Sequence, residues 1–149
     1  MPTASIPLPT LDATIALGGR IAGQLRAGDC VLLTGPLGAG KSALARAILR
    51  ALLADPTLEV PSPSYTLVQA YPSRLGLVQH FDLWRLDGPA ALIELGWEDA
   101  LDGVAVVEWP DRLGYLTPLD ALSVTLGIMA DDGRMAELHG WPDRVGALR

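Results

Sequence analysis

Lys41 is the single lysine of a chain whose other basic side chains are all arginine, and it lies within Gly35-Pro36-Leu37-Gly38-Ala39-Gly40-Lys41-Ser42. The octapeptide fits G-x-x-x-x-G-K-[ST], the phosphate-binding loop. Glycines at these positions let consecutive backbone N–H groups turn inward onto phosphate oxygens. The lysine then reaches the β- and γ-phosphates, and the serine hydroxyl offers a ligand to Mg²⁺. A triphosphate also needs acids near its cation. Asp82 closes Val78-Gln79-His80-Phe81-Asp82, and Glu108 closes Val104-Ala105-Val106-Val107-Glu108. Glu108 has the more apolar strand behind it and is assigned to the metal, directly or through water. Asp82 is placed beside it to orient the attacking water or a metal-bound water, with the reverse order left open.

Other polar groups are weaker candidates. Ser62, Ser64 and Thr66 occupy a proline-framed loop suited either to closing on a γ-phosphate or to an ordinary turn. Arg85 and Arg134 would neutralise phosphate charge or simply face solvent, and an Asp82–Arg85 pair is the bland alternative for that acid. Trp109 would pack beside a nucleotide or in the core. His80 and His139 are too far apart in sequence to form a spaced metal motif.

The loop acts only where strand and helix hold it. Cys30-Val31-Leu32-Leu33-Thr34 suits a buried parallel strand, and Ala43 to Leu53 is rich in helix formers, so the helix start presents its positive dipole end to the phosphates. A preceding helix is expected over Ala13 to Arg26, with Thr10, Leu11 and Asp12 before it and Gly28 as its stop. Pro56 and Pro61-Ser62-Pro63-Ser64 mark an extended loop. Tyr65 to Tyr71 and Leu77 to Leu83 read as an antiparallel hairpin, Ala90 to Gly96 as a short helix continuing or turning at Trp97 to Leu101, and Val104 to Glu108 as a buried strand delivering its acid to the ligand edge of a sheet. Leu122 to Met129 and Arg134 to His139 form a last hairpin, followed by a short tail from Trp141 to Arg149. The expected architecture is α/β: one P-loop NTPase-like domain over residues 1–149, with a mixed, mostly parallel sheet flanked by helices and carrying antiparallel hairpins.

The bulk composition bounds the function. Half of the 149 residues are apolar, enough for a core without covalent staples. Cys30 is the single cysteine, which excludes an internal disulfide and a cysteine-based zinc site. No stretch has the length of a membrane span, and the first residues lack the pattern of a signal peptide, so a reducing, cytoplasmic setting without membrane contact is expected. The net charge of −6 with scattered arginines argues against unaided nucleic-acid binding.

Taken in order, the motifs resemble the TsaE family, the small P-loop ATPases of bacterial tRNA threonylcarbamoyladenosine biosynthesis. The series is the phosphate loop, then Pro61 to Val68, His80-Phe81-Asp82-Leu83-Trp84-Arg85-Leu86, Glu94-Leu95-Gly96 and Glu108-Trp109. The resemblance implies ATP and Mg²⁺ as cofactors and hydrolysis coupled to a TsaB–TsaD complex. That complex modifies the adenosine next to the anticodon, so tRNA is met only through it. The resemblance also implies phosphate binding by Gly38 through Ala43, Mg²⁺ at Ser42 and Glu108, Asp82 at the nucleotide in support of hydrolysis, and Thr10, Leu11 and Arg134 near the nucleotide. Three departures stand out: Ser42-Ala43 where many relatives carry two threonines, Ser64-Tyr65 in the proline loop, and Trp84 for a usual tyrosine. Serine keeps the metal-binding hydroxyl and Ala43 keeps its backbone N–H. A small-molecule kinase is the rival enzyme, although no arginine-rich lid precedes Glu108. A GTPase is disfavoured because the chain has no asparagine for an Asn-Lys-x-Asp motif. A nucleotide-gated assembly module with incidental turnover is the alternative outside enzymes.

Overall fold

In the computed structural model, which describes residues 3–149, the apolar runs assemble into one seven-stranded sheet in the order β1-β7-β6-β2-β5-β4-β3. Its strands are β1 (Thr3–Leu8), β2 (Cys30–Thr34), β3 (Val68–Ser73), β4 (Gly76–Asp82), β5 (Val104–Glu108), β6 (Leu122–Ile128) and β7 (Arg134–His139). The central strands β6, β2, β5 and β4 run parallel, while β7 with β1 and β3 close the two edges antiparallel. This is the expected mixed sheet with hairpins. The helices are α1 (Leu11–Gln24), α2 (Lys41–Leu52), α3 (Pro89–Glu94) and α4 (Trp97–Ala100), with 3-10 turns at Pro110–Leu116 and Val145–Leu148.

Strand alternation sorts the side chains into two layers. Val31 and Leu33 of β2, with Val104 and Val106 of β5, join the core beneath α1 and α2. Cys30 and Leu32, with Ala105 and Val107, join Phe81, Leu92 and Trp97 on the face covered by α3 and α4. Both central strands are therefore buried on both faces, which is why they read as unbroken apolar runs. The same parity puts His80, Asp82 and Glu108 on the face that carries the Lys41 helix. At the crossing of α1 and α2, a Cβ on Gly18 would stand 2.5 Å from the Cβ of Ala47, so any larger residue would push the helices apart.

Several boundaries depart from expectation. β1 has no counterpart in the sequence reading. It alternates exposed and buried residues with Ala4, Ile6 and Leu8 inward, and Pro7 is tolerated on an edge strand. α1 starts at Leu11 because the Thr10 hydroxyl accepts the Ala13 N–H at 3.2 Å, a cap worth about 1 kcal/mol. It ends at Gln24, before Gly28. β3 begins only at Val68, because Ser64 to Leu67 form a turn. The expected tail is part of the core: Trp141, Val145 and Leu148 are buried. Arg144 holds this segment down through Asp29 at 2.6 and 3.1 Å, and it also covers the Trp141 ring at 4.0 Å.

Candidate functional site

β2 ends at Thr34 and α2 begins at Lys41, so the glycine loop spans the strand-to-helix turn at the sheet's carboxyl edge. Gly40 caps α2 in the left-handed region at φ 105°, a conformation open to glycine at little cost. The turn leaves the first N–H groups of α2 without intrahelical partners, facing the loop interior.

Lys41 is buried and its ammonium is turned back onto its own loop. Nζ donates to the Gly35 carbonyl and, at 3.0 Å, to the Pro36 carbonyl. It lies 4.2 Å from the centre of the Trp109 ring. Burial pushes its pKa below the ordinary lysine range, and the nearby carboxylates of Glu108 and Asp82 pull it part of the way back. Trp109 reaches this position because it leaves β5 in the left-handed region, at φ 57°, turning its ring back over the loop; Trp84 packs against it with ring centres 4.3 Å apart and planes tilted by 48°.

Glu108 ends β5 between Leu33 of β2 and Asp82 of β4 in the strand register. One of its oxygens accepts the Ser42 hydroxyl at 2.9 Å. The other lies 2.7 Å from Nε2 of His80. The Asp82 carboxylate accepts from the Ser64 hydroxyl and from the Trp84 backbone N–H, each at 3.1 Å. Ser62 and Ser64 share a hydrogen bond of 2.7 Å. Lys41, Ser42, Ser64, Asp82, Glu108 and Trp109 line one cleft of about 290 Å³ together with the glycine loop.

The cleft thus brings together the loop and both strand-end acids, with Glu108 rather than Asp82 at the Ser42 hydroxyl. Arg134, which begins β7 opposite Ile128 of β6, also arrives at the loop and donates to the Gly38 carbonyl at 3.1 Å. The pairing of Leu8 with Arg134 carries Thr10 and Leu11 to this same end. Leu11 lines a neighbouring apolar groove of about 610 Å³ that meets the cleft at Ala43. Two weaker candidates point elsewhere. Thr66 accepts from Gln69, and Arg85 lies over the Tyr65 ring at 4.4 Å instead of pairing with Asp82. His80 escaped the sequence reading as a site residue. Its signal was parity: it lies two residues before Asp82 on the same strand face.

The Ser42–Glu108 pair offers hard oxygen donors, and among the described residues no group of three His, Cys, Asp or Glu gathers to hold a metal unaided. That donor set fits a cation completed by phosphate and water oxygens, the usual setting of Mg²⁺.

Residues 8–136 match the protein family described as "Threonylcarbamoyl adenosine biosynthesis protein TsaE". The chain belongs to the TsaE family. Relatives named tRNA threonylcarbamoyladenosine biosynthesis protein TsaE include one from Rickettsia felis, 32% identical over 85% of this chain and 74% of its own length. Another, from Synechocystis, is 40% identical over 73% of this chain and 71% of its own. The crystal structure of YdiB from Bacillus subtilis shares the fold, with a TM-score of 0.79 at 22% identity over 99% of this chain and 91% of that one. Among the described residues of this TsaE family member, no helix is long and apolar enough to cross a membrane.

Proposed function

We propose that this TsaE family member is a Mg²⁺-dependent ATPase that serves threonylcarbamoyladenosine formation in tRNA together with the TsaB–TsaD complex in the cytoplasm. The observation that carries the reading is the hydrogen bond of 2.9 Å between the loop hydroxyl of Ser42 and the strand-end carboxylate of Glu108, in the same cleft as Lys41 and Asp82. It joins the phosphate loop to an acid from a neighbouring strand, which a ligand-free structural turn would not require.

In this reading the backbone N–H groups from Gly38 to Ala43 receive phosphate oxygens. Lys41 leaves the Gly35 and Pro36 carbonyls for the phosphates, exchanging neutral acceptors for charged ones. Ser42 and Glu108 would hold Mg²⁺, which when bound neutralises charge building on the phosphates. Asp82, already fixed through Ser64 and the Trp84 N–H, keeps lone pairs free to orient the attacking water. Thr10 and Leu11 flank the base from the start of α1, and Arg134 steadies the loop through Gly38. Acidic overall and without an arginine cluster, the protein meets tRNA through its partners.

Release of inorganic phosphate from ATP with Mg²⁺, measured alone and with the TsaB–TsaD pair, tests the reading. Slow release that the pair accelerates is the expected result. Transfer of the phosphoryl group to a small acceptor without phosphate release would replace it with the kinase reading, and no turnover in either mixture would overturn it.

A further inference from the structure

We propose that His80 is a positioning residue for the metal-holding carboxylate, acting through Glu108 and touching neither nucleotide nor cation; this rests on the Mg²⁺-dependent ATPase reading above. His80 lies on β4 opposite Val106 of β5, two residues before Glu108, so their side chains meet diagonally on one sheet face. Both are buried, at 1% and 2% exposure. Nε2 stands 2.7 Å from one Glu108 oxygen, and the other oxygen holds the Ser42 hydroxyl at 2.9 Å. Among the described residues these are the two side-chain partners of that carboxylate, because the Lys41 ammonium is committed to its loop carbonyls.

The last torsion of a glutamate is soft and roughly two-fold. Held at one oxygen by Ser42 alone, the carboxylate would swing. The imidazole, rigid and anchored on the neighbouring strand, donates Nε2–H to the second oxygen and fixes the plane in which the first is presented. Partners of this kind orient a ligating group and tune its affinity for the metal. The rest of the imidazole supports the same role. Nδ1 is buried without a partner, so the position bears the cost of a buried polar nitrogen where Val78 and Val106 beside it are plain hydrophobes. A site serving only packing would take a third valine or leucine.

Three substitutions test this: His80→Gln, whose amide nitrogen falls near the place of Nε2, His80→Asn, too short to reach Glu108, and His80→Leu. Binding of the β,γ-imido analogue of ATP is measured by calorimetry in saturating Mg²⁺ and again in EDTA. The quantity read is the ratio of the two affinities. The proposal expects the ratio to fall about 10-fold or more in the Asn and Leu variants, to stay within about twofold of wild type in the Gln variant, and the EDTA affinity to hold in all three. If the Leu variant does not fold, the Asn and Gln pair decides. An unchanged ratio in the Asn variant overturns the proposal, as does a parallel loss with and without Mg²⁺, the mark of a merely structural residue. A wild-type protein that binds the analogue equally in Mg²⁺ and EDTA would instead remove the metal reading, and this role with it.

Discussion

Asp82 and Glu108 stand opposite each other in the parallel register of β4 and β5, yet their carboxylates serve different partners. Glu108 faces the first turn of α2 through Ser42, whereas Asp82 faces the proline loop through Ser64. The division predicts distinct phenotypes. Glu108→Gln should remove the gain in ATP affinity that Mg²⁺ confers. Asp82→Asn should keep that gain and slow phosphate release by about 10²-fold or more, the usual worth of a group that orients a proton transfer. Calorimetry and phosphate release on the two variants check this, and wild-type turnover in both would sink the assignments.

The Lys41 ammonium on the Trp109 ring predicts an optical signal. Moving it to phosphates changes the field at the indole, so adding ATP should alter tryptophan emission. Trp109→Phe should abolish the response although three other tryptophans remain. Lys41→Ala should lose ATP binding with the fold retained, as judged by circular dichroism.

Lys41 also makes a prediction about pH. Its folded-state pKa is lowered by burial from 10.5, so between the lowered value and 10.5 the unfolded chain binds more protons than the folded one. Stability from this group therefore grows as pH rises through that window and is lost as pH falls. The melting temperature of the wild type minus that of Lys41→Met should increase as the pH climbs towards 10.5, and a flat difference would contradict the sign.

Arg144 ties the last segment to the start of β2. Its two bonds to Asp29 lie between side chains that are each 12% exposed, and it also donates to the Gln24 carbonyl at the end of α1, at 2.7 Å. Arg144→Ala leaves Asp29 largely buried with the Arg26 N–H as its remaining partner, and should cost roughly 3 kcal/mol in urea unfolding. Proteolysis should then begin at Trp141 to Arg149.

Cys30, buried in β2, has its thiol pushed up to about 12 by burial, with Asp120 and Asp29 adding to the shift. Reaction with a disulfide reagent near pH 8 should be slow in the folded protein and fast in denaturant. The raised pKa means that this group's contribution to stability is complete below pH 9 and lost as pH rises from there towards 12. Cys30→Ala should lose less stability than the wild type over that range.

The phosphate loop was legible because it is built from local rules: a strand of apolar residues, glycines where positive φ is needed, and a helix whose N-terminus binds anions by its own geometry. The same held for the Val104–Glu108 strand, whose buried run can end in one way, with its acid at the ligand edge. The expectation of Mg²⁺ at Ser42 rested on the hydroxyl side chain alone. Between Glu108 and Asp82 the more apolar strand favoured Glu108 but left the order open, because it depends on which strand lies beside β2, a fact of sheet order that neither strand encodes locally. His80 was invisible as a site residue for the same reason, since its carboxylate partner comes from another strand. β1 and the Trp141–Arg149 segment were missed because short alternating or mixed stretches earn their structure from long-range pairing, β1 with β7 and Arg144 with Asp29. Sequence thus determined the chemical groups and the strand, glycine loop and helix start whose N–H donors lack intrahelical partners. Tertiary structure decided which acid meets the hydroxyl, where Lys41 rests, and how Arg134 and α1 come to the same end of the sheet, because those contacts depend on strand order and register.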